Sequence, residues 1–231
     1  MLRLGIIGGC SAEATLIYYA DINRGVRARR PGHGADLLLR SFDVEDIDAH
    51  CRAGDWDGAQ AKFRDAAAWL REGGAKAILI ATNTMHKIAD PIAAEMDIPL
   101  IHIGDVAAAA LKAAGCSRPL LLGTRYLMGE TFYRERLERH GLAVMLPEPA
   151  DQHQVHAIIY DELMDGRVTE ESRRALAAIV DRAAAAGADC VVLACTELGL
   201  ALKDGDVEAP VFDTAALHVQ AAIAFALSDE S

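Results

Sequence analysis

Ala77-Ile78-Leu79-Ile80-Ala81-Thr82-Asn83-Thr84 and Cys190-Val191-Val192-Leu193-Ala194-Cys195-Thr196-Glu197 follow one plan, half a chain apart. Each opens with four apolar residues in unbroken succession, the pattern of a strand covered on both faces. Each is preceded by a Gly-Ala pair, Gly74-Ala75 or Gly187-Ala188, that suits the end of a helix. Each is followed by small polar residues, where a parallel strand delivers its carboxyl end. The halves also align at Ile7-Gly8 with Leu122-Gly123 and, loosely, at 99–105 with 210–213, at offsets near 113 residues. All parallel strands resemble one another, so a single match says little; three anchors in register point to a duplicated chain.

Around these anchors, strand and helix alternate. In the first half, 4–9 reads as a buried strand, 11–30 as a helix with Ser11 as N-cap, 37–42 as a strand and 56–72 as an Ala-rich helix. A helix over 85–96, a strand over 99–103 and a helix over 106–114 closed by Gly115 complete it. The second half offers strands at 120–122, 144–146, 190–193 and 210–213, with helices at 132–140, 155–165, 170–186 and 215–227. The alternation predicts an α/β fold of two pseudo-symmetric domains, each a mostly parallel sheet flanked by helices. The first half reads one element short, so the last strand and helix are expected to return to it. The domains would then be 1–103 plus 211–231, discontinuous, and 104–210.

Composition narrows the function classes. In 231 residues, 52% hydrophobic and 25% charged content is that of an ordinary soluble globule. A formal charge of −11 argues against nucleic acid as a partner, and the short basic stretch at 24–30 reads as a solvated helix face. That balance attracts no anion from a distance, so a carboxylate substrate has to be held locally. Five cysteines without a Cys-x-x-Cys pair speak against a disulfide frame or a structural metal. No secretory leader and no membrane-spanning run is evident, so no membrane partner is expected, and the reading is a reducing cytoplasm.

The duplicated strand ends carry the chemistry. If they face one another across a cleft, with Thr82 on one wall and Cys195 on the other, a substrate between them can lose a proton from one face and gain one on the other. Gly8-Gly9-x-Ser11-x-Glu13-x-Thr15, Thr82-Asn83-Thr84-Met85-His86-Lys87, Gly123-Thr124 with Met128, Ile158-Ile159-Tyr160-Asp161-Glu162-Leu163 and Cys195-Thr196-Glu197-Leu198 together resemble the aspartate/glutamate racemase family. Each motif is weak alone; in this order they span nearly the whole chain. The resemblance implies an active site at the interface of the two domains, no pyridoxal phosphate or other cofactor, no metal, an amino-acid substrate and a homodimer.

It also implies roles. Cys195 and Thr82 would be the acid/base pair, with Asn83, Thr84, Thr124 and Thr196 directing donors at the α-carboxylate, although helix capping accounts for each of these separately. Arg52 matches an arginine that clamps a substrate carboxylate; Glu197 and Ser11 fall at motif positions expected to bind substrate, and Cys10 is close enough to the first glycine turn to line the cleft. Most members carry cysteine at both acid/base positions. A thiol titrates near ~8.5 and an aliphatic hydroxyl nearer water's ~15.7, so a Thr82 alkoxide costs on the order of 10 kcal/mol more. Cys195 is therefore the expected base, its thiolate favoured by the start of the following helix. The Thr-then-Cys order resembles a subgroup selective for L-aspartate and L-glutamate. Two other readings stay open: a single-cysteine decarboxylase of the same superfamily, and an amino-acid binding protein that has lost its catalytic pair.

Overall fold

A computed structural model describes residues 1–228 and divides the chain into two units, 1–103 with 218–228 and 104–217. The first unit contains β1 (Leu4–Gly8), α1 (Ala12–Arg29), β2 (Leu37–Ser41), α2 (Val44–Ala53), α3 (Trp56–Glu72), β3 (Ala77–Ile80), a 3-10 turn (Thr84–Ile88) and α4 (Ala89–Ala94). The second begins within α5 (Ile103–Ala113) and runs through β4 (Pro119–Leu122), α6 (Arg125–Gly129), α7 (Phe132–Arg139), α8 (Pro149–Asp161), α9 (Glu170–Ala185), β5 (Cys190–Leu193), α10 (Leu198–Ala201) and β6 (Val211–Asp213). The last helix, α11 (Thr214–Leu227), starts in the second unit and ends in the first.

Both sheets are parallel and built to one scheme. In the first, β1 lies between β2 and β3, and β3 is extended by a bridge from Ile78 to Leu100. In the second, β5 lies between β4 and β6, and β4 is extended by a bridge from Leu120 to Met145. The order is thus the same four positions in each unit, and the backbone contacts repeat. Ile78 N–H donates to the Pro99 carbonyl as Val191 N–H donates to that of Pro210, each at 2.9 Å. Ala81 N–H donates to Ile7 at 2.9 Å, and Ala194 N–H to Leu122 at 2.7 Å. This is the duplication read from the sequence, seen in main-chain bonding. β1, β3, β4 and β5 are buried at every position, as strands covered on both faces should be.

Helices cover the sheets with single apolar stripes. In α1, Ala14, Tyr18, Ile22 and Val26 recur every four residues and are buried. In α3 the buried set is Ala59, Phe63, Ala66, Ala67 and Leu70, behind the cap in which Asp55 accepts from Gly58 N–H at 2.9 Å.

Several expectations need correcting. Residues 211–217 belong to the second unit, because β6 pairs with β5; only the chain from His218 returns to the first. The strands expected at 99–103 and 144–146 shrink to single bridges. Pro99 lacks an N–H and Ile103 already opens α5, while Pro147 lies two residues beyond the second bridge. The helix expected over 85–96 is a 3-10 turn followed by α4, since Pro91 cannot donate into a continuous helix and is tolerated only in a first turn. Helix α2 was not anticipated, although Asp43, whose carboxylate accepts from Glu45 N–H at 3.0 Å, and left-handed Gly54 are its start and stop signals.

The interior of the first unit holds a histidine that is locked neutral. His218 is fully buried; its Nε2–H donates to the Ile101 carbonyl at 2.7 Å, so Nδ1 must accept from the Tyr18 hydroxyl at 2.8 Å. Burial, helped by nearby His102, pulls its pKa down to about 4. The unfolded chain binds that proton near the ordinary ~6.5, so stability is full above ~6.5 and is lost as pH falls towards the folded value, by about 3 kcal/mol in all. Urea midpoints measured across that window should fall steeply in the natural protein and more gently in His218→Gln, which keeps one donor and one acceptor.

Candidate active site

In the first unit, the turn after β1 is shaped by glycine. Gly9 has φ +93°, and a Cβ there would lie 2.2 Å from the Phe42 carbonyl oxygen. Its N–H donates to Thr15 Oγ1 at 2.9 Å, and that hydroxyl donates to the Ser11 carbonyl at 2.8 Å. Ser11 Oγ accepts from Ala14 N–H at 3.1 Å, which makes it the N-cap of α1 as expected. The Cys10 thiol is pushed up to about 12, first by burial and then by Cys51 and Asp48. Cys51, Met85 and Trp56 pack in the same core, with the Cys51 and Met85 sulfurs 3.9 Å apart and Lys87 Nζ 4.0 Å from the centre of the Trp56 ring.

Thr82, Asn83 and Thr84 leave the carboxyl end of β3; Asn83 is buried and the two threonines are half-buried. His86 holds this turn. Its Nδ1–H donates to the Thr82 carbonyl at 2.8 Å and its Nε2 accepts from Ile103 N–H at 3.2 Å, so the ring is neutral in one tautomer. Arg52 sits near the end of α2, about half exposed, in an ion pair with Glu45. It is therefore engaged with a carboxylate of its own helix.

In the second unit, Leu122, Leu193 and Asp213 are in register, so three adjacent strands end together. Thr124 follows β4 and caps α6, its Oγ1 accepting from Leu127 N–H at 3.3 Å. Cys195 follows β5, 9% exposed, and its thiol donates to Glu197 Oε2 at 3.1 Å. The Thr196 hydroxyl donates to the same oxygen at 2.6 Å. Beside them, Thr214 Oγ1 donates to the Leu193 carbonyl at 2.8 Å, and Asp213 Oδ1 accepts from Ala215 and Ala216 N–H at 2.8 and 3.2 Å.

These contacts reverse one expectation. Burial, and then the charge and hydrogen bonding of Glu197, push the Cys195 thiol well above its ordinary value, with Asp213 adding a little. The following helix, α10, has only four residues and does not offset this. The resting group is a thiol hydrogen-bonded to a carboxylate. Ultraviolet titration of its thiolate, taken as the difference from Cys195→Ala, should accordingly move to lower pH in Glu197→Gln; an unmoved midpoint would contradict the coupling.

Sequence reasoning missed Asp213 and Thr214 as neighbours of Cys195. The signal was present: a short apolar strand ending in Asp-Thr before a helix is a capping pattern, at the position that aligns with 99–105.

Among the described residues no helix is long and apolar enough to cross a membrane. The profile of the Asp/Glu/Hydantoin racemase family matches residues 7–222. A candidate Asp/Glu racemase from Yersinia pestis is 42% identical with a TM-score of 0.94, over 98% of this chain and 100% of that one. An aspartate racemase homologue from Pyrococcus horikoshii is 31% identical with a TM-score of 0.87, over 98% and 99%. The aspartate racemase of Picrophilus torridus, 20% identical with a TM-score of 0.76 over 98% and 94%, shares the fold.

Proposed function

The chain belongs to the Asp/Glu/Hydantoin racemase family, and from that premise we propose that it racemises an acidic amino acid of the aspartate/glutamate type, with Cys195 as base and Thr82 on the opposite face of Cα. The carrying observation is the repeated main-chain bond that ends each central strand pair. Ala81 to Ile7 and Ala194 to Leu122 are equivalent, and the next residues are Thr82 and Cys195. Each half of a duplicated scaffold thus presents one group able to hold a proton.

The reaction removes a Cα proton without a cofactor to absorb the charge, so donors aimed at the α-carboxylate must stabilise the carbanion. Asn83, Thr84 and Thr124 suit this; Thr124 Oγ1 accepts a capping bond and keeps its own hydrogen to donate. Thr196 has given its hydrogen to Glu197, so its oxygen lone pairs better serve the substrate ammonium. Entry of that ammonium supplies the positive charge that the Cys195 environment lacks. The thiol proton passes to Glu197 Oε2, the thiolate takes the Cα proton of the L enantiomer, and the carbanion is reprotonated from the Thr82 side. Loss of a proton from an alcohol is slow, so inversion lags behind exchange.

The test is chiral chromatography of the full chain incubated with each enantiomer of aspartate and glutamate. The expected result is appearance of the mirror-image acid without added cofactor. No inversion of either acid refutes the substrate class, and carbon dioxide release from an arylmalonate instead would move the assignment to the lyase reading.

A further inference from the structure

Cys195 stands after the last residue of β5; at the opposite end of that strand lies a second pair of thiols. Cys190 is the first residue of β5 and is buried; Cys116 lies half-buried in the turn that leads into β4, just after left-handed Gly115. The sulfurs of Cys116 and Cys190 and a carboxylate oxygen of Asp189 all lie within 4.8 Å of one another.

The carboxylate is already oriented. Asp189 Oδ2 accepts from Ser117 N–H at 2.7 Å, from the Ser117 hydroxyl at 2.9 Å and from Arg118 N–H at 2.9 Å, while Oδ1 takes Arg118 N–H at 3.0 Å. Hydrogen bonds of this kind to a carboxylate are the usual support of a metal ligand. The Cys190 sulfur thus has both the Cys116 sulfur and an Asp189 carboxylate oxygen as neighbours. Tetrahedral zinc at about 2.3 Å from sulfur and about 2.1 Å from oxygen needs donors some 3.5–3.8 Å apart. The observed separations, at most 4.8 Å, exceed these by no more than about 1.3 Å.

We propose that Cys116, Asp189 and Cys190 form a site for one thiophilic divalent cation, Zn²⁺ or Cd²⁺, with a fourth position open on the exposed side of Asp189. Binding releases two thiol protons to solvent and leaves two metal–thiolate bonds and one metal–carboxylate bond; nothing is oxidised. The cation ties the turn before β4 to the start of β5. This site is independent of the racemase reading.

The test titrates Cd²⁺ into the chelator-stripped full chain and follows the ultraviolet sulfur-to-cadmium charge-transfer band. Saturation at one equivalent is expected, weakened at least about tenfold in Cys116→Ala and in Asp189→Asn and unchanged in Cys10→Ala. Because Cys190 is buried, the companion measurement uses no substitution there. In the natural protein Zn²⁺ should protect Cys116 from iodoacetamide, and a chelator should restore labelling, both read by peptide mass spectrometry. Absence of a stoichiometric band, a band unaltered in Cys116→Ala or lost in Cys10→Ala, or equal labelling with and without Zn²⁺ would overturn the proposal.

Discussion

Cys195→Ala is expected to lower racemisation by about 10³-fold or more and to abolish exchange of the L α-hydrogen with solvent, because no other residue after β5 can replace a sulfur base. The loss should be kinetic. Cys195 lies within the core of the second unit, so truncation should cost on the order of 1 kcal/mol of stability, and Glu197 keeps the Thr196 hydroxyl as a donor. Circular dichroism and thermal midpoints would show a folded variant. Cys195→Ser should be nearly as inactive, since a hydroxyl there meets the same barrier as Thr82, raised further by the carboxylate of Glu197. Retention of more than about a tenth of wild-type turnover by either variant would remove Cys195 from the mechanism.

Thr82→Cys should do the opposite and raise inversion by about tenfold or more. The substitution is nearly isosteric at a half-buried position, and the bond from the His86 ring Nδ1–H to the Thr82 main-chain carbonyl does not depend on the Thr82 side chain. Replacing an alcohol by a thiol lowers the energy of the charged form by up to about 10 kcal/mol, of which only part is expressed, because proton transfer is partial in the transition state. The gain must appear in both directions. The enantiomers have equal free energy in water, so the two kcat/KM values stay equal, and a variant that accelerates one direction alone is excluded by thermodynamics. A fall in inversion with unchanged exchange would mean that Thr82 itself, or a water it orders, is the better proton donor.

Much of this architecture is legible in the sequence alone. The strands at 77–80 and 190–193 and helices at 56–72 and 132–139 were readable because apolar periodicity and capping residues agree there. The family resemblance was readable for a related reason: its motifs lie at strand ends, where function constrains small polar residues. What could not be read depends on contacts remote in sequence. Pairing of β6 with β5 decides which unit 211–217 joins, and no local signal in Val211-Phe212-Asp213 chooses between sheets. The charge state of Cys195 depends on which way the Glu197 carboxylate turns and on α10 ending after four residues, and neither is a local signal at Cys195. The ion pair of Arg52 with Glu45 depends on α2 bringing residues seven apart together, which the family match of Arg52 alone does not indicate.

With Cys195 as base and Thr82 as the opposing proton donor, proton transfer is expected to be fast at the sulfur and slow at the hydroxyl. Proton NMR of L-aspartate or L-glutamate with the protein in heavy water, read alongside chiral chromatography of the same samples, measures both steps at once. Deuterium should enter the α-position of the L enantiomer well before the D enantiomer accumulates. Equal rates for the two processes, or D enantiomer formed while the remaining L enantiomer stays unlabelled, would contradict it.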